Sequence, residues 1–401
     1  MRLTEEQMED LMKAENVNRT WSWSRLGCFH NSKYEYFLHY VKDEIKDRDN
    51  SIYVVTGGLA HDILEKLYEK EINYEDMIER FKDGWFTAYD MAELKFDRTD
   101  EEKNKKLADK YYRNLIHFFN NHNVIDKPLM EQFVKIKVGK NLLIGYIDAV
   151  TKDEDGYINV LDFKTSSIYK GKNLIEKSGQ LCVYCLGLMQ QGIPIEKLKA
   201  AFNFLKYCTI EYELASGNVK EKTVERIKIG ESIQTNLKMW LKKGNYTEED
   251  IECICNTVIE TNSLDVLPDE IKAKYKVKDC YVYIPLTTDL IDKWIYYINT
   301  TIEDIELRER DYAETNSDKC FWDSEDDVKN QSFYFANLCA YSRFKHKPYD
   351  EYLKKQEELS NQKNNLFANV GSDISKDDIN KDINVKSNNI NNDLAWLNEL
   401  V

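Results

Sequence analysis

Residues 130–167, with the sequence MEQFVKIKVGKNLLIGYIDAVTKDEDGYINVLDFKTSS, alternate apolar and polar side chains over most of their length. A period of two is typical of β-strands, so this segment predicts strands at 131–138, 142–151 and 157–164. The turn before the third strand ends in Asp155-Gly156, and Asp-Gly is a strong hairpin signal. We therefore expect the sequences GYID and LDFK to lie on neighbouring antiparallel strands.

Three charged side chains mark this hairpin as a candidate site. Asp162 and Lys164 share one strand face because they are two residues apart, and Asp148 can reach that face from the adjacent strand. Two carboxylates at a strand end suit Mg²⁺ or Mn²⁺, with the backbone carbonyl of Phe163 as a third ligand. Lys164 would then lie beside the metal, where it can orient the attacking water and offset charge on the phosphorane. A D-x-K triplet by itself fits a solvated hairpin equally well.

The flanking segments add two helices to the strands. KSGQLCVYCLGLMQQG, residues 177–192, predicts a helix on which Gln180 and Tyr184 share a face at i,i+4 spacing. A second helix is expected from about Gly57 through GGLAHDILEKLYEKE. Further strands are predicted at 200–207 and 279–286. The chain is therefore expected to have an α/β fold, with a mixed central sheet flanked by helices.

In this order the motifs resemble the RecB-like exonuclease branch of the PD-(D/E)XK nuclease superfamily, which includes the RecB and AddAB nuclease domains and the Cas4 proteins. The resemblance covers most of residues 20–210 and, more weakly, 280–345. Its motifs are GGLAHDILE at 57–65, Glu131 before the GYID strand, GYID at 145–148, LDFKTS at 161–166 and QLCVY at 180–184. Single motifs of this kind are weak, but five in order are strong.

The resemblance implies a restriction-endonuclease-like core, metal-dependent DNA hydrolysis and 5′-phosphate products. It implies four metal ligands: the side chains of His61, Asp148 and Asp162 and the carbonyl of Phe163. Lys164 would be the catalytic lysine, and Gln180 and Tyr184 would position the nucleic acid or the lysine. A core histidine at a helix start is the alternative interpretation of His61.

Three further residues are candidates for substrate binding: Glu131, Lys135 and Arg25. Lys135 stands near the predicted active strands and could bind phosphate, although a solvated strand edge is an equal alternative. Arg25 lies among aromatic residues that include Trp21 and Trp23. Together they could form a stacking and phosphate surface, but such aromatic stripes are also typical of a core.

Composition restricts the possible functions further. A formal net charge of −15 argues against a protein that coats nucleic acid through bulk charge, but a local basic groove would suffice for a nuclease.

The resemblance raises the question of a [4Fe–4S] cluster, because Cys28, Cys320 and Cys339 lie near the positions expected for its ligands. The close C-x-x-C of such clusters is missing there, so the sequence argues against one. Cys182 and Cys185 are expected to pack on their helix.

We divide the chain into five segments. They are an N-terminal helical region at 1–130, the nuclease core at 131–210, a mainly helical insertion at 211–280, a strand–helix part of the nuclease domain at 281–350, and a disordered tail at 351–401. The tail is rich in Asn and ends in the apolar segment 394–401 around Trp396, which resembles a short motif for a replication or recombination partner. A terminal helix that packs on its own domain is the alternative.

The sequence thus favours a DNA exonuclease in recombination, repair or phage DNA processing. A catalytically silent DNA-binding or scaffold protein and a restriction or defence endonuclease remain alternatives. The start of the chain carries acids and no apolar run, and no stretch approaches the ~20 apolar residues of a membrane span, so a cytoplasmic location is expected. No P-loop is present, so any unwinding would come from a partner.

Overall fold

The structure, a computed structural model, describes residues 2–49, 51–98 and 100–370, with side chains through residue 362. The chain forms two compact units. The first comprises Met1–Gly27 and Asn50–Glu306, and the second comprises Cys28–Asp49 and Leu307–Val401. Within the described ranges, no helix combines the length and the apolar character needed to cross a membrane.

A six-stranded mixed sheet lies at the centre of the first unit. Its strands are β1 (Leu129–Val138), β2 (Asn141–Lys152), β3 (Ile158–Lys164), β4 (Leu198–Glu213), β5 (Val219–Glu225) and β6 (Tyr275–Tyr283). The order is β1-β2-β3-β4-β5, and β6 also pairs with β4. All pairs are antiparallel except β3–β4. The three predicted hairpin strands are therefore present, and the predicted mixed α/β architecture is confirmed.

Some of the helices cover the sheet within the first unit, and others build the second unit. They are α1 (Glu5–Glu15), α2 (Trp23–Asn31), α3 (Lys33–Tyr36), α4 (Ile52–Tyr68), α5 (Asp76–Trp85), α6 (Glu101–Asn121), α7 (Gly171–Lys177), α8 (Gly179–Gln190), α9 (Ile229–Lys243), α10 (Glu248–Thr261), α11 (Asp269–Lys272), α12 (Thr288–Thr315), α13 (Glu325–Asn330) and α14 (Lys347–Val370). Helices α7 and α8 form the crossover that the parallel pair β3–β4 requires.

Two tight turns set the register of the hairpin strands. Gly139 and Gly156 both have positive φ, +58° and +81°, which glycine adopts without steric cost. In the second turn, the N–H of Gly156 donates to the carbonyl of Asp153, and the N–H of Asp153 donates to the carbonyl of Tyr157. This geometry brings β2 beside β3, with Ala149 opposite Leu161.

The two faces of the sheet are covered by different helices. On one face, α4, α5 and α6 form a core with Leu161 and Phe163 of β3. On the other face, α8 lies so close to β1 that a β-carbon at Gly187 would meet the Val134 side chain at 2.3 Å. Alternation along β3 therefore turns Asp162 away from the first core.

Helix α4 begins at Ile52, five residues before the expected start at Gly57.

Residues 211–280 contain the expected helices and also strands. Strand β4 continues to Glu213, and β5 and most of β6 also fall in this segment. Helices α9 and α10 pack around Ile233, Leu237 and Val258. Strand β5 was missed because it is exposed and highly charged, with the sequence VKEKTVE, so it lacks a clear alternation.

The second unit contains a buried hydrogen-bonded network and a long helix. The Ser32 hydroxyl donates to Asp323 Oδ2 at 2.7 Å and lies 2.8 Å from His346 Nε2. Helix α14 runs through Val370, so the expectation of a disordered segment from residue 351 is wrong for residues 351–370. The apolar terminal segment 394–401 lies outside the described residues.

Candidate active site

Asp148 and Asp162 converge where β2 and β3 separate. Both carboxylates are buried, and Asp148 Oδ2 accepts a hydrogen bond of 2.8 Å from the N–H of Phe163. Burial raises the pKa of Asp148 to about 7, and repulsion by Asp162 adds to the increase. A cation would stabilise the charged form of Asp148 at this position.

His61 brings a nitrogen from α4 to the same strand end. Its Nε2 lies 2.8 Å from the carbonyl oxygen of Phe163, and its Nδ1 lies 3.5 Å from Asp148 Oδ2. Adjacent ligands of an octahedral Mg²⁺, each about 2.1 Å from the ion, lie about 3.0 Å apart. The spacing of His61 Nε2 and the Phe163 oxygen is therefore close to that of two neighbouring ligands of one ion.

Lys164 forms the polar boundary of the site on the side of α8. Its Nζ lies 2.6 Å from Asp162 Oδ2, and it donates a long hydrogen bond of 3.5 Å to Gln180 Oε1. Burial by itself would lower the pKa of Lys164, but Asp162 and then Asp148 outweigh burial, so the pKa is raised. The side chain is therefore a cation here and a donor rather than a base.

Gln180 and Tyr184 extend this hydrogen-bonded chain along α8. Gln180 Nε2 donates to the Tyr184 hydroxyl at 3.1 Å, which leaves the phenol proton free to donate onward. Burial raises the pKa of Tyr184 to about 12, so the phenol stays protonated at neutral pH. Both residues lie on one face of α8, as the i,i+4 spacing predicts.

Gly145 creates the space in which Tyr184 lies. A β-carbon at Gly145 would be 2.4 Å from Tyr184 Cε1, so only glycine allows the ring to lie against β2 at this position. Gly145 was predicted only as part of the GYID motif, with no role of its own. A glycine inside an otherwise apolar strand was the available signal, because such a glycine often marks close approach of another group.

The donor set fits a hard divalent cation. Asp162 Oδ2 is buried and accepts no well-aligned hydrogen bond, despite the nearby Lys164 ammonium. An oxygen-rich set of two carboxylates and a carbonyl with one imidazole suits Mg²⁺ or Mn²⁺. Across the described part of the chain, no three His, Cys, Asp or Glu side chains are arranged by themselves as a metal site. The set that the resemblance implies adds the Phe163 carbonyl to the three side chains.

Glu131 lies next to this group on β1. Its neighbours Met130 and Gln132 pair with Ala149 and Ile147, so Glu131 falls opposite Asp148 in the ladder. Its φ of +44° interrupts the strand there. Burial, followed by repulsion from Glu131, raises the pKa of Glu65, which is one helical turn beyond His61 on α4. Glu65, the last residue of the GGLAHDILE motif, is therefore a neighbour of the site to which no role was assigned from sequence.

The other two predicted substrate-binding residues have different surroundings. Lys135 Nζ lies 2.5 Å from Glu15 Oε1, so an acid already compensates its charge. The Arg25 guanidinium lies over the Trp21 ring, 4.9 Å from its centroid. Trp21 is 2 % exposed, so it belongs to the core and is not a stacking surface for bases.

The cysteines that were expected to pack on α8 do so. Cys182 and Cys185 are both buried, and burial raises the pKa of Cys182 to about 11. Thiols with raised pKa values are poor nucleophiles and poor metal ligands at neutral pH. Their role is therefore packing between α8 and the sheet.

Comparison with known proteins identifies the family. Residues 20–322 match the family model of the PD-(D/E)XK nuclease superfamily, which is more than half of the chain. The chain therefore belongs to the PD-(D/E)XK nuclease superfamily, and membership implies a nuclease. The six-stranded mixed sheet flanked by helices is consistent with the restriction-endonuclease-like fold of that superfamily.

Other comparisons add little. No curated protein matches the chain significantly. Among solved structures, the crystal structure of SSO0001 is 16% identical in sequence. The alignment covers 48% of this chain and 75% of that one, with a TM-score of 0.16. A likeness at that TM-score carries no argument about fold or function.

Proposed function

We propose that this chain is a divalent-metal-dependent deoxyribonuclease that degrades DNA from an end. The observation that carries the proposal is the convergence of Asp148, Asp162 and Lys164 with the Phe163 carbonyl at the end of β3. Two buried acids and a cation in one place are costly for a structural site, and they suit phosphodiester hydrolysis.

His61, Asp148, Asp162 and the Phe163 carbonyl would hold the metal. A bound Mg²⁺ or Mn²⁺ would supply Lewis-acid activation of the scissile phosphate and a lowered pKa for the attacking water. Metal ligation through Nε2 requires the His61 proton on Nδ1, and Nδ1 faces Asp148 Oδ2 at 3.5 Å. Asp148 would thereby fix the tautomer that the site needs.

Lys164 would act as a cationic donor close to the scissile phosphate. Because it is held protonated, it can donate to a phosphate oxygen and offset the negative charge that develops in the transition state. Gln180 would hold the ammonium in place through its Oε1, and Tyr184 would hold Gln180 in turn. The free phenol proton of Tyr184 is a further donor for the nucleic acid.

The narrower assignments rest on the motifs. The order of GGLAHDILE, GYID, LDFK and QLCVY supports a RecB-like exonuclease related to the RecB, AddAB and Cas4 nucleases. On this basis the protein would act in recombination, repair or phage DNA processing in the cytoplasm. The apolar segment at residues 394–401 would bind a replication or recombination protein, which stays a prediction. Glu131, Lys135 and Arg25 likewise stay predicted substrate contacts.

The test is a cleavage assay with DNA of different topology. End-labelled linear and covalently closed circular DNA, each single- and double-stranded, are incubated with the protein in Mg²⁺, Mn²⁺ or EDTA. We expect metal-dependent loss of linear DNA, with circles left intact. Cleavage of circular DNA would show that the protein is an endonuclease and not an exonuclease. DNA binding without cleavage in either metal would instead support a catalytically silent scaffold.

A further inference from the structure

A stripe on α4 leads away from the candidate active site. Tyr53, Gly57 and His61 recur at intervals of four residues and therefore share one helix face. A β-carbon at Gly57 would lie 3.6 Å from Thr165 Oγ1, so this face lies against the loop that follows Lys164. Eight residues at about 1.5 Å each place Tyr53 about 12 Å from His61 along the axis.

Tyrosine hydroxyls gather at the far end of this stripe. Burial raises the pKa of Tyr111 on α6, and the nearby hydroxyls of Tyr53, Tyr207 and Tyr169 add to the increase. Tyr169 belongs to the loop after β3, and its hydroxyl accepts from Ser166 at 3.1 Å. Tyr53, Tyr169 and Tyr207 are all partly exposed, whereas Tyr111 is buried. Their hydroxyls, which can donate as well as accept hydrogen bonds, therefore form a polar surface that continues from the active site.

The same loop is anchored at this surface by β4. Tyr207, near the middle of β4, has its hydroxyl beside Ser167 and the backbone of Ile168. Tyr169 packs edge-on against Phe204 of the same strand, with ring centroids 5.0 Å apart. The loop that carries the chain out of the active site therefore lies directly beside the tyrosine surface.

Lys206 places a buried amine against Tyr111, the residue that these hydroxyls adjoin. The residue is only 4 % exposed, and its Nζ lies 3.4 Å from the centroid of the Tyr111 ring. The charged groups that face it are Lys110 on α6 and Glu225 on β5, and these two pair with each other at 2.8 Å. Burial, with Lys110 second, lowers the pKa of Lys206 to about 7, and Glu225 only partly opposes this.

A buried lysine without a carboxylate partner is costly for a folded chain. Methionine or leucine would fill the same space beside Tyr111 without that cost. Perturbed ionisable groups of this kind concentrate at functional sites. A protonated Lys206 is a donor only, and the neighbouring phenol hydroxyls can donate as well as accept, so together they can offer several hydrogen bonds to an oxyanion.

We propose that Lys206, with the hydroxyls of Tyr53, Tyr169 and Tyr207, forms a second phosphate subsite that holds the DNA backbone a few nucleotides from the scissile bond. This inference rests on the proposed nuclease function. The rise of about 12 Å along α4 between His61 and Tyr53 corresponds to about three steps of one strand at ~3.4 Å each, and to fewer in an extended strand. A strand held at both places would be fixed in direction across the active site.

The test compares Lys206→Met with Lys199→Met. Lys199 is on the same strand but pairs with Asp153, away from the tyrosine surface. Dissociation constants for a short DNA duplex with a single-stranded end are measured in EDTA at several salt concentrations. We expect Lys206→Met to weaken binding by about tenfold. The slope of log Kd against log salt should fall by about the amount that one phosphate contact contributes, roughly one unit. Lys199→Met should leave both unchanged.

A pH series separates this role from a structural one. Phosphate binding by an amine that is half neutral at pH 7 requires uptake of a proton, so wild-type affinity should fall as the pH rises from 7 to 9. Lys206→Arg, which stays charged, should lose this part of the pH dependence. Melting temperatures confirm that each variant is folded.

The possible results are distinct for the two proposals. An unchanged salt slope and Kd in a folded Lys206→Met variant would overturn the subsite, even if the wild-type protein cleaves DNA. A wild-type protein that binds DNA but never cleaves it would overturn the nuclease, whatever the effect of Lys206→Met. Binding in EDTA does not depend on catalysis, so neither failure hides the other.

Discussion

Gly145→Ala is expected to damage catalysis without removing any functional group. The added β-carbon would lie 2.4 Å from Tyr184 Cε1, whereas carbon atoms in contact prefer about 3.5–4.0 Å, so the ring must move by about 1 Å or more. That movement strains the Tyr184–Gln180–Lys164 chain, in which the Lys164–Gln180 contact is already 3.5 Å long. Misplacement by about 1 Å can cost ~100-fold in rate, so we expect kcat to fall by about 10- to 100-fold.

The assay is steady-state cleavage of end-labelled linear DNA in Mg²⁺, together with chemical denaturation. Overpacking should also lower the free energy of unfolding by about 1–3 kcal/mol. Gly58→Ala is the matched control, because it lies on α4 with no atom within 4 Å of the added carbon. Alanine there should keep kcat and raise the free energy of unfolding by about 0.5–1 kcal/mol.

A double-mutant cycle tests whether Gly145→Ala lowers kcat by displacing Tyr184. If the clash acts through this ring, Gly145→Ala combined with Tyr184→Ala should lose no more activity than Tyr184→Ala alone. Full additivity of the two changes, or a Gly145→Ala variant with kcat within about twofold of wild type, would refute the reasoning.

Three further predictions concern stability. In EDTA, the folded pKa of Asp148, about 7, exceeds its ordinary value of 3.8, so its contribution to stability is complete below about pH 4 and is lost as the pH rises through 7. Asp148→Asn should remove that loss in a pH series of denaturation curves, and an unchanged pH profile would contradict it. The folded pKa of Lys206, about 7, lies below its ordinary 10.5, so protonation destabilises the fold increasingly as the pH falls from about 10 to 7. Lys206→Met should therefore show a melting temperature that exceeds wild type most clearly at the lower end of that range, and a constant difference would argue against this. Asp323→Ala removes the acceptor of the Ser32 hydroxyl and of the Lys33 N–H, so calorimetry should show a loss of about 2–4 kcal/mol, which a Lys347→Ala control should not reproduce.

Local patterns predicted the elements of the site because each has a short signal. Period-two alternation located the strands that carry Asp148 and Asp162, and i,i+4 spacing placed Gln180 and Tyr184 on one face. The proximity of His61 to the Phe163 carbonyl was expected only through the family resemblance. No local pattern connects residues that lie 102 positions apart in the chain.

The missed features depend on contacts distant in sequence. Strand β5 is held by pairing with β4 and not by its own alternation, so its charged sequence was interpreted as part of a mainly helical insertion. Gly145 and Lys206 acquire their meaning from rings on other elements, Tyr184 and Tyr111. The helix at residues 351–362 is exposed and highly charged, and its composition resembled a tail for that reason.

The most direct test of the proposed nuclease activity compares metal-dependent DNA cleavage by the wild-type protein with cleavage by the Asp162→Asn variant. Asparagine keeps the shape of Asp162 and removes the charge of a residue that is 1 % exposed and faces Lys164. We predict cleavage of linear DNA by the wild-type protein in Mg²⁺ or Mn²⁺, none in EDTA, and a rate at least ~1,000-fold lower for a folded Asp162→Asn variant. Cleavage by Asp162→Asn at the wild-type rate, or wild-type cleavage that persists in EDTA, would contradict the account.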